Sequence, residues 1–550
     1  MKKTVFSILG CGLIVVVSLF TLVIPGCSGG PKTNYEPGNA APRLNSPLVV
    51  SRHQLAREAG YRVLNSGGNA FDAFVAVTLV ENVVSSGYVT LAGLLSVMLY
   101  HAETNQVMHL DGGFNSVLDP AGLYDPRNPS EGKKIVVPGV IAGLEAISKR
   151  YGRLSFAKVV QPAIEIAGNG FVIDKVFSYY INYDPDKLQR SEYGRRTFFP
   201  NGTALQPGDI LKQPELAEFL TKLAEQGANY MYRGEWAEQC VETVQRQGGL
   251  MTLKDLAAYQ PAWAKPWKIS YRGYDICASS GRTMYALWTL LALKILEHTA
   301  VQPLGHFSLS ADALEILVRV TQAVYKEKWL RDYRSLDNRE LVNSRLTSNY
   351  AAGIWARVKQ ELNRVHQGEA LEPPCHHTLS SIVADREGNV VSGKHSINSE
   401  LWGPGLFVQG IPLNGSGDLM GRFTGPGKRR TQGAPNFFVF KNGILKYACG
   451  TFSFSNPQAA LQFLVNLLDY GLPAGQAASF PRFGSYPYDM KTDRVDFSKY
   501  ELDERVSREV VEILEKRGLF FSQKRPKLGK GCIAEFHIDG TTTTGWDWGK

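Results

Sequence analysis

Cys375-His376-His377-Thr378-Leu379-Ser380-Ser381-Ile382-Val383-Ala384-Asp385-Arg386-Glu387-Gly388-Asn389-Val390-Val391-Ser392 reads as a buried strand that begins at a hydroxyl, followed by a turn and a returning strand. The preceding Glu372-Pro373-Pro374 can neither continue a helix nor pair inside a sheet. From Thr378 the residues turn apolar, Asp385 to Asn389 supply the turn, and Val390 to Asn398 run back. A backbone cut between His377 and Thr378 would leave a hydroxyl and a free α-amine on one residue. An α-amine titrates near pH ~8, far below a lysine, so it serves as a base around neutrality. A threonine so exposed carries its own base. The competing reading is structural, because threonine suits strands in its own right.

Outward from this stretch the chain repeats the hairpin pattern. Ser96 to Tyr100 and Gln106 to Leu110 flank one turn, and Asn436 to Phe440 and Ile444 to Cys449 flank Asn442-Gly443. Cys532 to Ile538 leads into Asp539-Gly540 and a run of threonines. These strands are apolar at most positions, which predicts sheets covered on both faces. Ala70 to Val84 is apolar nearly all round and predicts a buried helix capped by Asn69. Further helices are predicted over 139–151, 156–168, 214–227, 284–296, 311–328, 456–470 and 505–517. Hairpin-built sheets with helices outside them give an α+β layered sandwich.

With 550 residues, 44% hydrophobic and 11% aromatic, the chain has material for a sizeable core and does not read as disordered. The net charge of +9 is spread out, and the basic runs Lys428-Arg429-Arg430 and Lys524 to Lys530 lack interleaved aromatics. They read as solvated surface and imply no nucleic-acid partner. Lys2-Lys3, the apolar run Val5 to Ile24, and then Pro25-Gly26-Cys27 describe a secretory signal. Ile24 to Cys27 resembles a bacterial lipobox. The expectation is a signal over 1–26, lipid on Cys27 and a polar tether over 27–47, giving a membrane-anchored cell-envelope lipoprotein. A plain anchor helix is the alternative. Cys240, Cys277, Cys375, Cys449 and Cys532 are odd in number and widely spaced, so neither a disulfide framework nor a zinc site is indicated. His376 and His377 point to opposite faces of an extended segment and do not share an ion. No nucleophile elbow, Walker or Rossmann glycine pattern is present, and no cofactor is implied.

From residue 48 onward the chain resembles the γ-glutamyltranspeptidase family (γ-glutamyltransferase, glutathione hydrolase). The likeness rests on Gly67-Gly68-Asn69-Ala70-Phe71-Asp72-Ala73, on Val137-Pro138-Gly139 with Gln161-Pro162-Ala163-Ile164, and on Gly248-Gly249 through Tyr274. Asp469-Tyr470-Gly471-Leu472 and Pro481-Arg482-Phe483 extend it. Each is weak alone; their order and spacing make the case. The resemblance implies a four-layer αββα sandwich of the N-terminal nucleophile hydrolase type. It also implies a precursor cut before Thr378, giving a large subunit over 48–377 and a small one over 378–550 that stay associated. Thr378 falls at the family's nucleophile, ten residues before Gly388, and Ser396 at the hydroxyl that holds it. Asn398 falls at a substrate-binding asparagine, and Ser453 and Phe454 at the backbone amides of the oxyanion hole.

Departures from the family pattern fall on the glutamyl-binding positions. The arginine that grips the α-carboxylate falls about Gly113, and glycine cannot replace a bidentate cation. Arg429 and Arg430 are the nearest substitutes. The aspartate facing the α-amine falls near Leu419, beside Asp418, and the serine pair falls on Thr431 and Gln432. Leu379, Ser380 and Lys394 also differ from the family. The resulting expectation is a self-cleaving threonine hydrolase or acyltransferase acting on a small amide or peptide, with another acyl group preferred to γ-glutamyl. A lipid-tethered binding protein that kept the scaffold without the chemistry is the alternative.

Overall fold

A computed structural model describes residues 43–362, 378–420, 425–430, 433, 435–452, 455–484, 488–489, 494–495, 500–523 and 529–547. Cys27, His377, Thr431, Gln432, Ser453 and Phe454 lie outside the described residues.

Two six-stranded sheets form the centre. The first runs, in spatial order, Leu48–Val50, Thr378–Ala384, Val390–Ser396, Leu94–His101, Gln106–Gly112 and Ala262–Ala264. The second runs Thr542–Asp547, Lys530–Phe536, Ile444–Phe452, Asn436–Lys441, Tyr274–Ala278 and Trp267–Tyr271. Every pairing within the two sheets is antiparallel. Residues on both sides of position 378 contribute to each sheet, so a chain cut there would leave two interleaved fragments that share both sheets.

Local chemistry fixes the hairpins. Asn442 and Gly443 both have positive φ, 52° and 78°, the mirror-image turn whose twist suits a two-residue hairpin. At the other central hairpin Asp385 Oδ1 accepts the Asn389 amide at 3.0 Å, and Oδ2 accepts the Asn389 side chain at 2.8 Å. The same Oδ2 accepts the Ala70 amide at 3.0 Å. One aspartate therefore joins the Thr378–Ser396 hairpin to the start of the Ala70–Val84 helix. That helix is capped by Asn69 in a reciprocal box with Asp72, and all fifteen of its residues are buried.

Three apolar layers separate four structural layers. Ile382, Ala384, Met98, Phe438, Ala448 and Cys532 pack between the sheets. Val383, Val391 and Leu95 join the helices Ala70–Val84 and Val140–Tyr151 outside the first sheet. Phe437, Val439 and Ile533 join Met284–Leu296, Ala311–Lys326 and Asn456–Leu468 outside the second. The chain is an αββα sandwich. Among the described residues no helix is long and apolar enough to cross a membrane. The described cysteines, Cys240, Cys277, Cys449 and Cys532, are buried and free.

Candidate active site

Thr378 opens its strand and sits directly opposite Ser396 across the hairpin. Directly opposed residues share a sheet face, which puts the two hydroxyls side by side. Thr378 Oγ1 donates to Ser396 Oγ at 3.1 Å, and Ser396 Oγ also accepts the Asn398 amide at 2.8 Å. Thr378 is 8% exposed, Ser396 1%. The sequence places Asn398 on the same strand face as Ser396; in the structure the strand ends at Ser396 and Asn398 curls back with φ 51°. The amide of Asn398, rather than strand periodicity, joins it to the Thr378–Ser396 pair.

Asp418 reaches this neighbourhood through a chain of bonds. Ser416 Oγ donates to the Asn398 carbonyl at 2.8 Å, and the buried Arg430 guanidinium donates to the carbonyls of Ser416 and Gly417. Burial pulls Arg430 down to about 10, with the Asp418 charge opposing. The segment carrying Asp418 is thus tied from below by a cation and from above by Asn398.

At the strand end where the resemblance places a carboxylate-gripping arginine, Gly113 donates its amide to Asp111 Oδ1 at 2.8 Å and accepts the Tyr259 hydroxyl at 2.6 Å. Arg429 is the cation found there. Its Nη1 donates to the Asp111 carbonyl at 2.8 Å and to Tyr259 at 2.9 Å, and Nη2 donates to the Gln260 carbonyl. Its guanidinium is committed to protein acceptors.

Further along the same strand from Thr378 lies a buried polar row, Ser380, Lys394, Ser96 and Asp111, one residue from each of four neighbouring strands. Lys394 Nζ is buried and has no hydrogen-bond partner among the described residues, and burial holds its ammonium well below the usual lysine range. His109, bonded to Ser96 Oγ at 2.9 Å, is held down to about 3 by burial and by Lys394. The second sheet meets this row at Gly450, where a Cβ would stand 2.3 Å from Ser380 Oγ.

On the opposite face of the first sheet Glu81 is wholly buried. Its Oε1 accepts Ser51 Oγ at 2.6 Å and Ser381 Oγ at 2.8 Å, and burial raises the carboxyl to about 7. A charged residue within Leu79-Val80-Glu81-Asn82-Val83 was the available signal for it. Tyr88, whose hydroxyl accepts the Thr378 amide, carried no such signal. Among the described residues there is no cluster of side chains that could hold a metal ion.

The sequence profile described as Gamma-glutamyltranspeptidase matches residues 56–546. The glutathione hydrolase proenzyme of Escherichia coli (strain K12) is 28% identical over 473 residues, 80% of this chain and 81% of that protein. The acylase ACY 1 proenzyme of Pseudomonas sp. (strain SE83) is 27% identical over 535 residues, 91% of this chain and 92% of that one. Among solved structures, the cephalosporin acylase from Bacillus halodurans superposes with a TM-score of 0.79 at 22% identity, covering 94% of this chain and 97% of that chain. That likeness establishes a shared fold.

Proposed function

Because the chain belongs to the γ-glutamyltranspeptidase family, we propose that it is a self-cleaving threonine hydrolase or acyltransferase with Thr378 as nucleophile. The observation that carries the reading is the 3.1 Å contact between Thr378 Oγ1 and Ser396 Oγ at the first residue of the central hairpin. Both relatives described above are named proenzymes, which supports a processed chain.

Two stages follow chemically. In the first, Thr378 Oγ1 attacks the carbonyl carbon of residue 377, the C–N bond breaks, and the hydroxyl proton passes to the nitrogen. Water then opens the ester, leaving a carboxylate on the large fragment and a free amine and hydroxyl on Thr378. In the second, the amine takes the Oγ1 proton as oxygen attacks a substrate amide. The amine returns that proton to the leaving nitrogen, and water or an acceptor amine removes the acyl group. Ser396, held by the Asn398 amide, positions Oγ1. The amides of Ser453 and Phe454 are assigned to the developing oxyanion by the family resemblance.

For the acyl group we favour an amide other than γ-glutamyl. Gly113 offers no cation, and Arg429 beside it is engaged by Asp111, Tyr259 and Gln260. Losing a charge-assisted pair costs roughly 1.5–3 kcal/mol, or about ten- to a hundredfold in rate. The acylase named among the relatives gives a second substrate class to assay. Lipidation of Cys27 and a cell-envelope location complete the proposal.

Thr378→Ala separates this reading from a binding protein. Wild type runs as two fragments on denaturing electrophoresis and turns over an acyl anilide; the variant runs as one chain and does neither. A T378A chain that is still cleaved rules the scheme out. Turnover of γ-glutamyl p-nitroanilide faster than other acyl anilides overturns the substrate assignment alone.

A further inference from the structure

We propose that the Tyr88 hydroxyl, fixed by Arg52 and Tyr180, holds the Thr378 nitrogen and steers the amine exposed by scission so that its lone pair faces Oγ1. The inference rests on Thr378 acting as the nucleophile.

The contact is direct: the Thr378 N–H donates to the Tyr88 oxygen. The tyrosine is held from several sides. Its ring stacks on Tyr180 at 5.2 Å with an interplanar angle of 19°, and the Arg52 guanidinium stands 5.8 Å from its centroid. Arg52 Nη1 in turn donates to the Tyr180 hydroxyl at 2.7 Å. Trp402 closes the assembly, its indole donating to the Tyr180 carbonyl and its amide to the Gly87 carbonyl. Gly87, at φ 85°, is needed there because a Cβ would fall 2.3 Å from the Trp402 ring. The residue just before Tyr88 is therefore pressed against the indole, and Tyr88 has little room to swing.

This geometry supplies what an N-terminal base lacks. A free amine rotates about its Cα–N bond, and two of its three positions aim the lone pair away from the hydroxyl. An acceptor on the far side takes one N–H and leaves the lone pair on the Oγ1 side. Tyr88 suits the task because burial raises its phenol above the ordinary range, so it stays neutral. The charged and titratable groups around it are Arg52, Tyr180 and, acting on both of these, Asp174. An acceptor oxygen favours the protonated amine, whereas the Arg52 cation disfavours it. The two influences oppose, so their removal moves the amine in opposite directions.

Tyr88→Phe retains the ring stack and removes one oxygen; Arg52→Gln removes the cation. The amine is read by competitive acetylation of the small fragment's amino terminus across pH, with mass-spectrometric detection that needs no substrate. With Tyr88→Phe, self-cleavage and kcat fall roughly tenfold at unchanged KM, and the half-labelling pH drops by about half a unit. With Arg52→Gln the half-labelling pH rises. A purely structural role leaves that pH unmoved. Tyr88→Phe with wild-type cleavage and labelling overturns the assignment alone, whereas a wild-type chain that never cleaves overturns the nucleophile reading with it.

Discussion

Glu81 Oε2 and His395 Nε2 face each other at 3.6 Å in the layer between the strands Thr378–Ala384 and Val390–Ser396 and the Ala70–Val84 helix, too far apart to bond. Both groups are wholly buried, and both atoms are without a hydrogen-bond partner among the described residues. Burial raises the carboxyl to about 7 and lowers the imidazole to about 3, so both are neutral when the fold is most at ease.

Glu81→Gln tests that electrostatic strain. A carboxyl raised from 4.5 to about 7 stabilises the fold fully below pH 4.5 and loses that contribution as pH rises through 7. The difference corresponds to about 3 kcal/mol. Glutamine keeps an oxygen for Ser51 and Ser381 and turns an N–H toward His395. The variant is expected to gain on wild type by up to about 3 kcal/mol between pH 4 and pH 8, read from urea unfolding at each pH. Parallel pH curves would refute it.

Lys394→Met removes a buried amine from the row beneath Thr378. Leaving such a group unsatisfied costs roughly 1–3 kcal/mol, and methionine fills a similar volume. The lysine's depressed pKa means wild-type stability rises with pH toward the unfolded value of 10.5. The variant's advantage should therefore be largest near pH 7 and shrink toward pH 10, as followed by thermal unfolding. An advantage that grows with pH contradicts this.

Ser396→Ala takes away the oxygen that meets both Thr378 and the Asn398 amide. Self-cleavage and turnover are expected to slow by roughly ten- to a hundredfold, with about 1–2 kcal/mol of stability lost. Ser396→Thr, which keeps the hydroxyl, should cleave at close to the wild-type rate. Equal rates in the alanine and threonine variants would show that the hydroxyl does not position the nucleophile.

Much of this arrangement was legible in the sequence because it rests on local chemistry. Asn442-Gly443 specified a hairpin turn, and Asn69 marked a helix start, to which the structure adds the reciprocal bond from Asp72. The apolar Ile382-Val383-Ala384 and Val390-Val391 on either side of the turn marked two strands, both of which are buried along their whole length. Short edge strands at 48–50 and 262–264 carried too little pattern, since three residues show no period. The helix Glu235–Arg246 carries a legible stripe in Trp236, Cys240 and Val244, yet it was not among the predicted helices. At the candidate site, the family resemblance singled out Thr378 and Ser396, and the structure sets the two opposite each other across the hairpin. Tyr88 was not, because its partner lies 290 residues away and only the folded sheet brings them together. The burial of Lys394 was hidden for the same reason: the second sheet that covers it is built from distant strands.

The mass and amino-terminal sequence of the fragments in purified wild-type protein test the central claim most directly. A small fragment spanning residues 378–550 with threonine at its amino terminus is the predicted result. An intact chain, or a break at any other bond, contradicts it.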